Sequence, residues 1–192
     1  MDVQQPPPKA VIRRPLATEA RSLAALFAAS WEAGYRGLMP DALLDRRSTV
    51  EGVLERRNAK RKTPPGRLDW VMEWEGNLVA SSSSGPVRDE DPEEGLAEIY
   101  SFYVDPAFWR RGFGRTLVRH VCRELAERGF DHVVLHCLTD NARARRFYES
   151  MGFRVEIERF PKAVEEFQLD HTRYRMALSL TGEDHSPSLP DA

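Results

Sequence analysis

The chain has 192 residues, of which 41% are hydrophobic and 30% are charged, and its formal net charge is -2 at pH 7. This length suits one medium-sized domain with a hydrophobic core, and the composition is that of an ordinary globular protein. A net charge so close to zero excludes an overall field that would attract nucleic acid or a membrane surface, so an anion-binding site must come from local clustering.

The sequence favours a cytoplasmic protein that binds neither a metal nor a membrane. Cys122 and Cys137 lie in apolar segments without a histidine at metal-ligand spacing, so we expect core side chains rather than a disulfide or a metal site. Residues 1–10 lack the apolar stretch of a secretory signal. No segment approaches the roughly 20 apolar residues that span a bilayer.

Hydrophobic periodicity predicts an α/β domain over residues 11–180, between a flexible arm (1–10) and a disordered tail (181–192). Strands are predicted where apolar residues alternate or form short runs: 11–15, 68–74, 78–85, 96–104, 131–138, 153–160 and 173–180. Helices are predicted where the apolar period is near 3.6 or where capping patterns occur: from Thr18 to about 30, 48–62 with a capping box at 48–51, 112–128, and 141–152. A loop is predicted over 31–40. We therefore expect a single mixed sheet flanked by about four helices.

Two glycines at the start of the third predicted helix indicate an anion-binding site. Gly112 and Gly114 follow a strand, so the first N–H groups of the helix have no acceptor within it and carry the positive end of its dipole. Glycine lets an anion approach the backbone, and Arg110, Arg111 and Arg115 add positive charge. A polyphosphate fits this pattern, and so does a simple turn beside a solvated basic face. The Walker pattern and the dinucleotide fingerprint are both absent.

The motif around these glycines resembles a known family. The segment 103–118, YVDPAFWRRGFGRTLV, is similar to motif A of the GCN5-related N-acetyltransferase (GNAT) superfamily, in which a strand leads into Arg/Gln-x-x-Gly-x-Gly/Ala. The segment 141–153, NARARRFYESMGF, is similar to the family's motif B. The motifs stand in the family's order, and the resemblance covers roughly residues 11–180. One departure is Trp109, where the family usually has arginine or glutamine.

The resemblance implies a centrally splayed sheet that binds acetyl-CoA and transfers its acetyl group to an amine. It implies that the pantetheine arm pairs with the main chain of Phe102, Tyr103 and Val104. It also implies that the pyrophosphate binds the loop formed by Arg110, Arg111, Gly112, Phe113, Gly114 and Arg115. Asn141 would cap its helix and could also contact acetyl-CoA. A non-catalytic domain that senses acetyl-CoA is the alternative function, and both a monomer and a homodimer remain open.

Acetyl transfer to an amine calls for a base and an acid, because a primary amine is protonated at neutral pH and the leaving thiolate needs a proton. Glu98 is the candidate base, with a pKa that apolar neighbours should raise, although it could equally be an ordinary carboxylate. The amine could also bind in its neutral form without a dedicated base. Tyr148 matches the family's motif B tyrosine, the usual general acid, but it lies on an apolar helix stripe where aromatic residues are often core.

The acceptor site is less well indicated by the sequence. Trp31 and Tyr35 lie where the family usually builds its acceptor wall, and core packing is the alternative. An acidic run over 89–94 could attract a cationic amine, but a solvated loop is the simpler interpretation. A basic run over 46–62 lacks interleaved aromatic residues, so we expect a solvated helix face and no nucleic-acid partner.

Overall fold

A mixed sheet of seven strands organises the residues described by a computed structural model, which are 9–59, 65–90 and 92–179. The strands are β1 (Val11–Arg13), β2 (Leu68–Trp74), β3 (Asn77–Pro86), β4 (Leu96–Val104), β5 (His132–Leu138), β6 (Arg154–Val164) and β7 (Phe167–Ala177). The helices are α1 (Ala20–Tyr35), α2 (Asp41–Arg47), α3 (Val50–Ala59), α4 (Phe113–Ala126) and α5 (Ala142–Ser150), with 3-10 turns at Ala17–Glu19 and Pro106–Phe108. The strand order is β1-β2-β3-β4-β5-β7-β6, which confirms the predicted mixed α/β sheet.

The sheet opens at its centre, between β4 and β5. These two strands pair in parallel only as far as Ile99 and Leu135. Beyond that point β3 still pairs with β4 as far as Val104, and β7 still pairs with β5 as far as Leu138. The ends of β4 and β5 therefore diverge, which confirms the predicted central splay.

Helices cover both faces of the sheet. The ring of Tyr103 lies 4.7 Å from that of Phe27 in α1, whereas the ring of Phe102 lies 5.8 Å from that of Phe147 in α5. Successive residues of a strand point to opposite faces, so α1 and α5 lie on opposite sides of the splay. Helix α4 shares the α5 side, because a Cβ placed on its residue Gly114 would lie 3.4 Å from Phe147.

Helix α4 forms because a left-handed glycine starts it and an apolar stripe anchors it. Gly112 precedes the helix with a φ of 83°, a conformation that glycine adopts without strain. Leu117, Val121 and Leu125 are each 0% exposed, and the burial of each one stabilises the fold by about 1.5–3 kcal/mol. Gly129, with a φ of 85°, follows the helix end as predicted.

The first half of the sequence departs from the predictions at two places. Helix α1 continues to Tyr35 and so takes in residues 31–35 of the segment predicted as a loop, whereas residues 36–40 do form a loop, and α2 follows after Pro40. The cap of α3 is Thr49 rather than Ser48, since Thr49 Oγ1 accepts a hydrogen bond of 3.1 Å from the N–H of Gly52. A capping pattern in the sequence locates a helix start to within a residue or so. When two hydroxyl residues are adjacent, as here, either one can serve as the N-cap. The predicted end of this helix at 62 lies outside the described residues.

Strands β6 and β7 form one long hairpin, in which β6 runs past the predicted strand end at 160 and β7 begins before the predicted strand start at 173. The pairing extends to Val164 and Phe167, and the turn between them places Glu165 at a φ of 56°. Polar residues alternate with apolar ones through this segment, and the pairing overrides the proline at 161, which lies on the edge strand β6. The tail predicted over 181–192 and most of the predicted arm lie outside the described residues.

The described residues contain no helix long and apolar enough to cross a membrane. They also contain no cluster of three or more His, Cys, Asp and Glu side chains that could hold a metal ion. Cys122 and Cys137 are both free thiols, and burial raises the pKa of each to about 12.

Candidate active site

The splay between β4 and β5 opens into a cavity of about 500 Å³, within the usual range of ligand pockets. Its walls include most of the residues predicted from the sequence: Phe102, Tyr103, Val104, Arg110, Gly112, Gly114, Arg115, Asn141 and Tyr148. The walls also contain Ser30, Gly34, Tyr35, Phe108, Trp109, His136, Cys137, Arg143, Ala144 and Phe147. Three predicted residues do not line it: Glu98, Arg111 and Phe113. No carboxylate of the described residues lines the cavity.

The end of β4 turns backbone groups towards the cavity. Val104 stands opposite Ala80 of β3, and the N–H of Asp105 donates to the C=O of Val79 at 2.9 Å. In an antiparallel pair this arrangement leaves the N–H and C=O of Val104, and those of Phe102, directed away from β3. They face the splay, where a pantetheine arm could pair with them. The N–H and C=O of Tyr103 point the other way, towards β3. They are therefore not available to a cofactor in the splay.

The C=O of Val104 is already engaged by two side chains. Trp109 Nε1 donates to it at 2.8 Å, and Ser30 Oγ donates to it at 3.2 Å. Only the N–H of Val104 therefore remains directed into the cavity. Trp109, the departure from motif A, thus packs back against the strand end rather than projecting into solvent.

The start of α4 has the backbone of an anion site. No side chain accepts a hydrogen bond from the start of the helix, because the residue at the cap position is Gly112, so the first N–H groups lack an acceptor among the described residues. Arg110 precedes Gly112 with a φ of 58°, a left-handed conformation that costs a non-glycine residue about 1–3 kcal/mol. Gly114 faces the splay, and a Cβ there would lie 3.4 Å from both Phe147 and Val104. Glycine at position 114 therefore leaves the space between Phe147 and Val104 free of side-chain atoms.

Two of the predicted loop residues turn their side chains elsewhere. Phe113 is 0% exposed and belongs to the core. The guanidinium of Arg111 lies 4.9 Å from the ring of Trp74 and 5.4 Å from that of Phe108. Neither residue lines the cavity, and the arginines of this loop that do line it are Arg110 and Arg115.

Asn141 caps α5, as predicted. Its Oδ1 accepts a hydrogen bond of 3.0 Å from the N–H of Ala144, and its Nδ2 donates to the C=O of Gly34 at 3.5 Å. The side chain thus joins the start of α5 to the end of α1, and this junction forms one end of the cavity.

Tyr148 combines a packed ring with a place in the cavity wall. Its ring lies 5.3 Å from that of Phe147 and 5.8 Å from that of Phe153. Its hydroxyl forms no hydrogen bond to another described residue. Burial raises the pKa of Tyr148 above its ordinary value, so the phenol stays protonated at neutral pH. Protonated is the state that a general acid needs.

Glu98 lies behind the cavity wall, contrary to expectation. It is 3% exposed, and Arg88 donates to both of its oxygens, from Nε at 3.0 Å and from Nη2 at 2.5 Å. Burial alone would raise the pKa of Glu98, but Arg88, with smaller effects from His136 and Lys162, brings it below its ordinary value. The predicted rise in pKa is therefore wrong, because nothing in the sequence pattern pairs this carboxylate with Arg88.

His136 is the member of that charged cluster that reaches the cavity. Its Nδ1 lies 2.8 Å from Lys162 Nζ and 3.7 Å from Glu98 Oε1. Burial, assisted by the charge of Lys162, lowers the pKa of His136 to about 4, so the ring is neutral at pH 7. Motif and periodicity reasoning missed this residue, and the signal that could have found it was a polar side chain within the apolar run of β5.

The predicted acceptor wall is partly core. Trp31 and Tyr35 pack edge to face with centroids 5.0 Å apart, and Trp31 Nε1 donates to the hydroxyl of Tyr103 at 2.9 Å. Tyr35 lines the cavity, whereas Trp31 supports it from behind. Both belong to the apolar cluster built around Leu43 and Leu44 of α2.

The acidic run is an exposed loop that two ion pairs connect to the sheet. Asp89 pairs with Arg173 of β7 at 2.9 Å, and Glu93 pairs with Arg175 of the same strand at 2.6 Å. Both carboxylates lie in a loop and stay exposed to solvent, as the solvated-loop interpretation predicts, and their ion pairs to β7 are an addition to it. Position 91 lies outside the described residues.

The basic run is also partly neutralised. Arg46 pairs with Glu166 at 2.6 Å and Arg47 with Glu165 at 2.7 Å, which links α2 to the β6–β7 turn. Arg56 donates to the backbone carbonyl oxygens of Arg46 and Arg47. These arginines stabilise the fold rather than forming a free positive surface.

Comparison with known proteins agrees with this geometry. The sequence model of the acetyltransferase (GNAT) family matches residues 23–153. The [ribosomal protein bS18]-alanine N-acetyltransferase of Escherichia coli is 34% identical over 86 residues, which are 45% of this chain and 54% of that protein. The human N-acetyltransferase 8 is 32% identical over 89 residues, covering 46% of this chain and 39% of that protein. The matches thus span about half or less of the length of these curated relatives.

Two solved structures share the fold. The PaiA N-acetyltransferase of Thermoplasma acidophilum in complex with coenzyme A has a TM-score of 0.61 at 16% identity, covering 85% of this chain and 98% of that one. The YncA structure from Salmonella typhimurium with its cofactor acetyl-CoA has a TM-score of 0.65 at 23% identity, covering 95% and 98%. At these identities the similarity concerns the fold alone.

Proposed function

Because the chain belongs to the acetyltransferase (GNAT) family, we propose that it transfers the acetyl group of acetyl-CoA to an amine. The observation that carries the proposal is the shared cavity: the end of β4, the uncapped start of α4 and the Tyr148 hydroxyl meet in one 500 Å³ space. The free thiols Cys122 and Cys137 suit a cytoplasmic location, which forms part of the proposal.

The residues of the cavity fit acetyl-CoA at both of its ends. The N–H groups at the start of α4, with Arg110 and Arg115 beside them, suit a pyrophosphate. The absence of a carboxylate among the described lining residues removes the main source of repulsion. The N–H and C=O of Phe102 suit the amides of a pantetheine arm, because they lack a strand partner on that side, and the N–H of Val104 remains free beyond them.

Acetyl-CoA supplies an acetyl group activated as a thioester, whose leaving thiol has a pKa near about 8.5 by analogy with cysteine. We propose that Tyr148 donates a proton to that sulfur as it leaves. Its ring is fixed by Phe147 and Phe153, so the hydroxyl has a defined position at no further cost in conformational entropy. The N–H of Val104 is proposed to donate a hydrogen bond to the acetyl oxygen.

The proton of the acceptor amine has no direct carboxylate acceptor in the described wall. Glu98, the base proposed from the sequence, is enclosed by Arg88 and separated from the cavity by His136. We therefore favour the other route open from the sequence, in which the amine binds in its neutral form. After the nitrogen attacks and the C–S bond breaks, the nitrogen gives up one proton, which restores the Tyr148 phenol that protonated the sulfur. Glu98 then acts as a positioning residue for the Arg88–His136–Lys162 cluster, not as the base.

The test is a thiol-release assay combined with cofactor-dependent thermal stabilisation. The acceptor panel should contain small primary amines and peptides that begin with alanine, the latter because one relative is named for such an acceptor. We expect acetyl-CoA to raise the melting temperature and at least one amine to accelerate thiol release. Stabilisation without turnover on any amine would instead support the acetyl-CoA sensor, and no stabilisation by acetyl-CoA would refute both functions.

A further inference from the structure

Trp109 and Arg143 form a stacked pair that joins the two walls of the splay. Trp109 lies in the loop after β4, and its indole N–H is bonded to the C=O of Val104 at 2.8 Å. Arg143 lies in the first turn of α5, on the opposite wall, and its Cζ is 3.6 Å from the centroid of the indole ring. Both residues line the cavity. A guanidinium placed on an indole at this distance is in the range of a strong cation–π contact.

Arg143 has no carboxylate partner among the described residues. Its one hydrogen bond there is to the C=O of Ala33, at 3.4 Å, which is longer than an ordinary N–H to O hydrogen bond. The neighbouring Arg145 differs: it donates to Glu158 at 2.9 Å and to the hydroxyl of Tyr174 at 2.9 Å. The donors of Arg143 are therefore available to an anion, whereas those of Arg145 are occupied.

The residues around Arg143 favour a phosphate as the bound anion. Arg110 and Arg115 line the same cavity beside the uncapped start of α4, so together with Arg143 three arginines line a wall whose described residues include no carboxylate. Guanidinium groups bind phosphate through two parallel hydrogen bonds, and stacking on an aromatic ring fixes the plane of the fork beforehand. The indole thus determines the orientation of the guanidinium, and a phosphate can use its free edge.

We propose that Arg143, oriented by Trp109, binds a phosphate oxygen of the acetyl-CoA pyrophosphate and so closes the two walls of the splay around the pantetheine arm. The assignment rests on the proposed function for its ligand. It makes Arg143 a cofactor-binding residue and Trp109 a positioning residue, and it explains how the loop functions with a tryptophan at this position.

Affinity for coenzyme A, measured by calorimetry without any acceptor, is the direct test. Arg143→Ala should weaken binding about tenfold, within the range for a charge-assisted hydrogen bond at an exposed site. Arg146→Ala is the matched control, because Arg146 lies on the same helix and does not line the cavity. It should bind coenzyme A as the wild type does. Equal affinities for Arg143→Ala and the wild type would overturn the proposal while leaving the acetyltransferase function intact.

The coupling between the two residues is tested by a double-mutant cycle. If Trp109 acts through Arg143, Trp109→Ala should weaken binding about as much as Arg143→Ala, and the double variant should be no weaker than either. Additive losses would overturn the positioning role of Trp109. Trp109→Phe, which keeps a ring for stacking but loses the bond to Val104, should fall between the wild type and Trp109→Ala. Melting temperatures of all variants separate loss of binding from loss of folding.

Ligand fragments identify the phosphate. The ratio of wild-type to Arg143→Ala affinity should persist for coenzyme A lacking its 3′-phosphate and should fall to one for pantetheine, which lacks the pyrophosphate. A ratio that disappears on removal of the 3′-phosphate would overturn the pyrophosphate assignment, and a ratio that persists with pantetheine would overturn phosphate binding altogether. A wild-type protein that fails to bind coenzyme A would overturn both this inference and the proposed function.

Discussion

Tyr148→Phe removes one oxygen from the cavity wall and little else. The ring packs 5.3 Å from Phe147 and 5.8 Å from Phe153, and phenylalanine keeps both contacts. The hydroxyl bonds to no other described residue, so its loss leaves no buried donor or acceptor without a partner. We therefore expect the melting temperature and the affinity for acetyl-CoA to stay close to those of the wild type.

The turnover number should fall by about 10²- to 10³-fold. General acid catalysis contributes about 10²–10⁴ in rate, and each factor of ten corresponds to about 1.4 kcal/mol of activation free energy. The lower half of that range applies because burial raises the pKa of Tyr148 and makes the phenol a weaker acid. The loss in activation free energy is then about 3–4 kcal/mol.

Tyr174→Phe provides the matched control. Tyr174 lies in the same aromatic cluster, 6.2 Å from Tyr148, but does not line the cavity. Its hydroxyl donates to Glu149 at 2.7 Å and accepts from Arg145 at 2.9 Å. This variant should lose about 1–2 kcal/mol of unfolding free energy and keep its turnover number. Steady-state kinetics with acetyl-CoA and the best amine decide the matter: wild-type turnover in Tyr148→Phe would refute the acid role.

Three further predictions address the cofactor loop, the buried carboxylate and the amine. Gly112→Val and Gly129→Val should each lose about 1–2 kcal/mol of stability, because both glycines are left-handed, with φ of 83° and 85°. Only Gly112→Val should weaken acetyl-CoA binding in calorimetry. If Gly112→Val and Gly129→Val bound acetyl-CoA with equal affinity, the anion site would be contradicted. The pKa of Glu98 is lowered in the folded protein, so the stability it contributes is present above the unfolded pKa of about 4.3 and is lost as the pH falls through the folded pKa. Glu98→Gln should therefore be less stable than the wild type near neutral pH. In urea titrations its unfolding free energy should fall less steeply with decreasing pH than that of the wild type. Between about pH 6 and 9, kcat/KM should rise steadily with pH, because the fraction of neutral amine rises. No break is expected at about pH 6.5, because the pKa of His136 is about 4. A break at that pH would assign proton transfer to a histidine.

The cofactor end of the cavity was predictable because short sequence segments build it. Gly112 and Gly114 lie between strand and helix within a few residues, and Asn141 caps the helix that directly follows it. Backbone conformation and capping depend on residues that are neighbours in sequence, which periodicity and motif reasoning can read. Nine of the twelve predicted site residues line the cavity for this reason.

The charged cluster behind the cavity was not predictable by the same reasoning. Glu98 contacts Arg88, His136 and Lys162, which come from the loop after β3, from β5 and from β6. Whether a carboxylate in the interior is ionised depends on such partners as much as on burial. For Glu98, burial alone suggested the wrong direction of the pKa shift. The same holds for Trp109, whose partner Arg143 lies on the other wall of the splay.

A mainly apolar contact holds α2 against the β6–β7 hairpin. Leu43 and Leu44 of α2 are fully buried in a cluster that includes Val164 and Phe167 of the β6–β7 hairpin. Burying two leucines contributes about 3–6 kcal/mol, whereas the exposed ion pairs between α2 and the β6–β7 turn contribute at most about 1 kcal/mol each. Salt should therefore leave α2 in place over the hairpin. Tyr35 belongs to this apolar cluster and also lines the cavity, so the packing of α2 on the hairpin helps to fix the cavity wall at that residue.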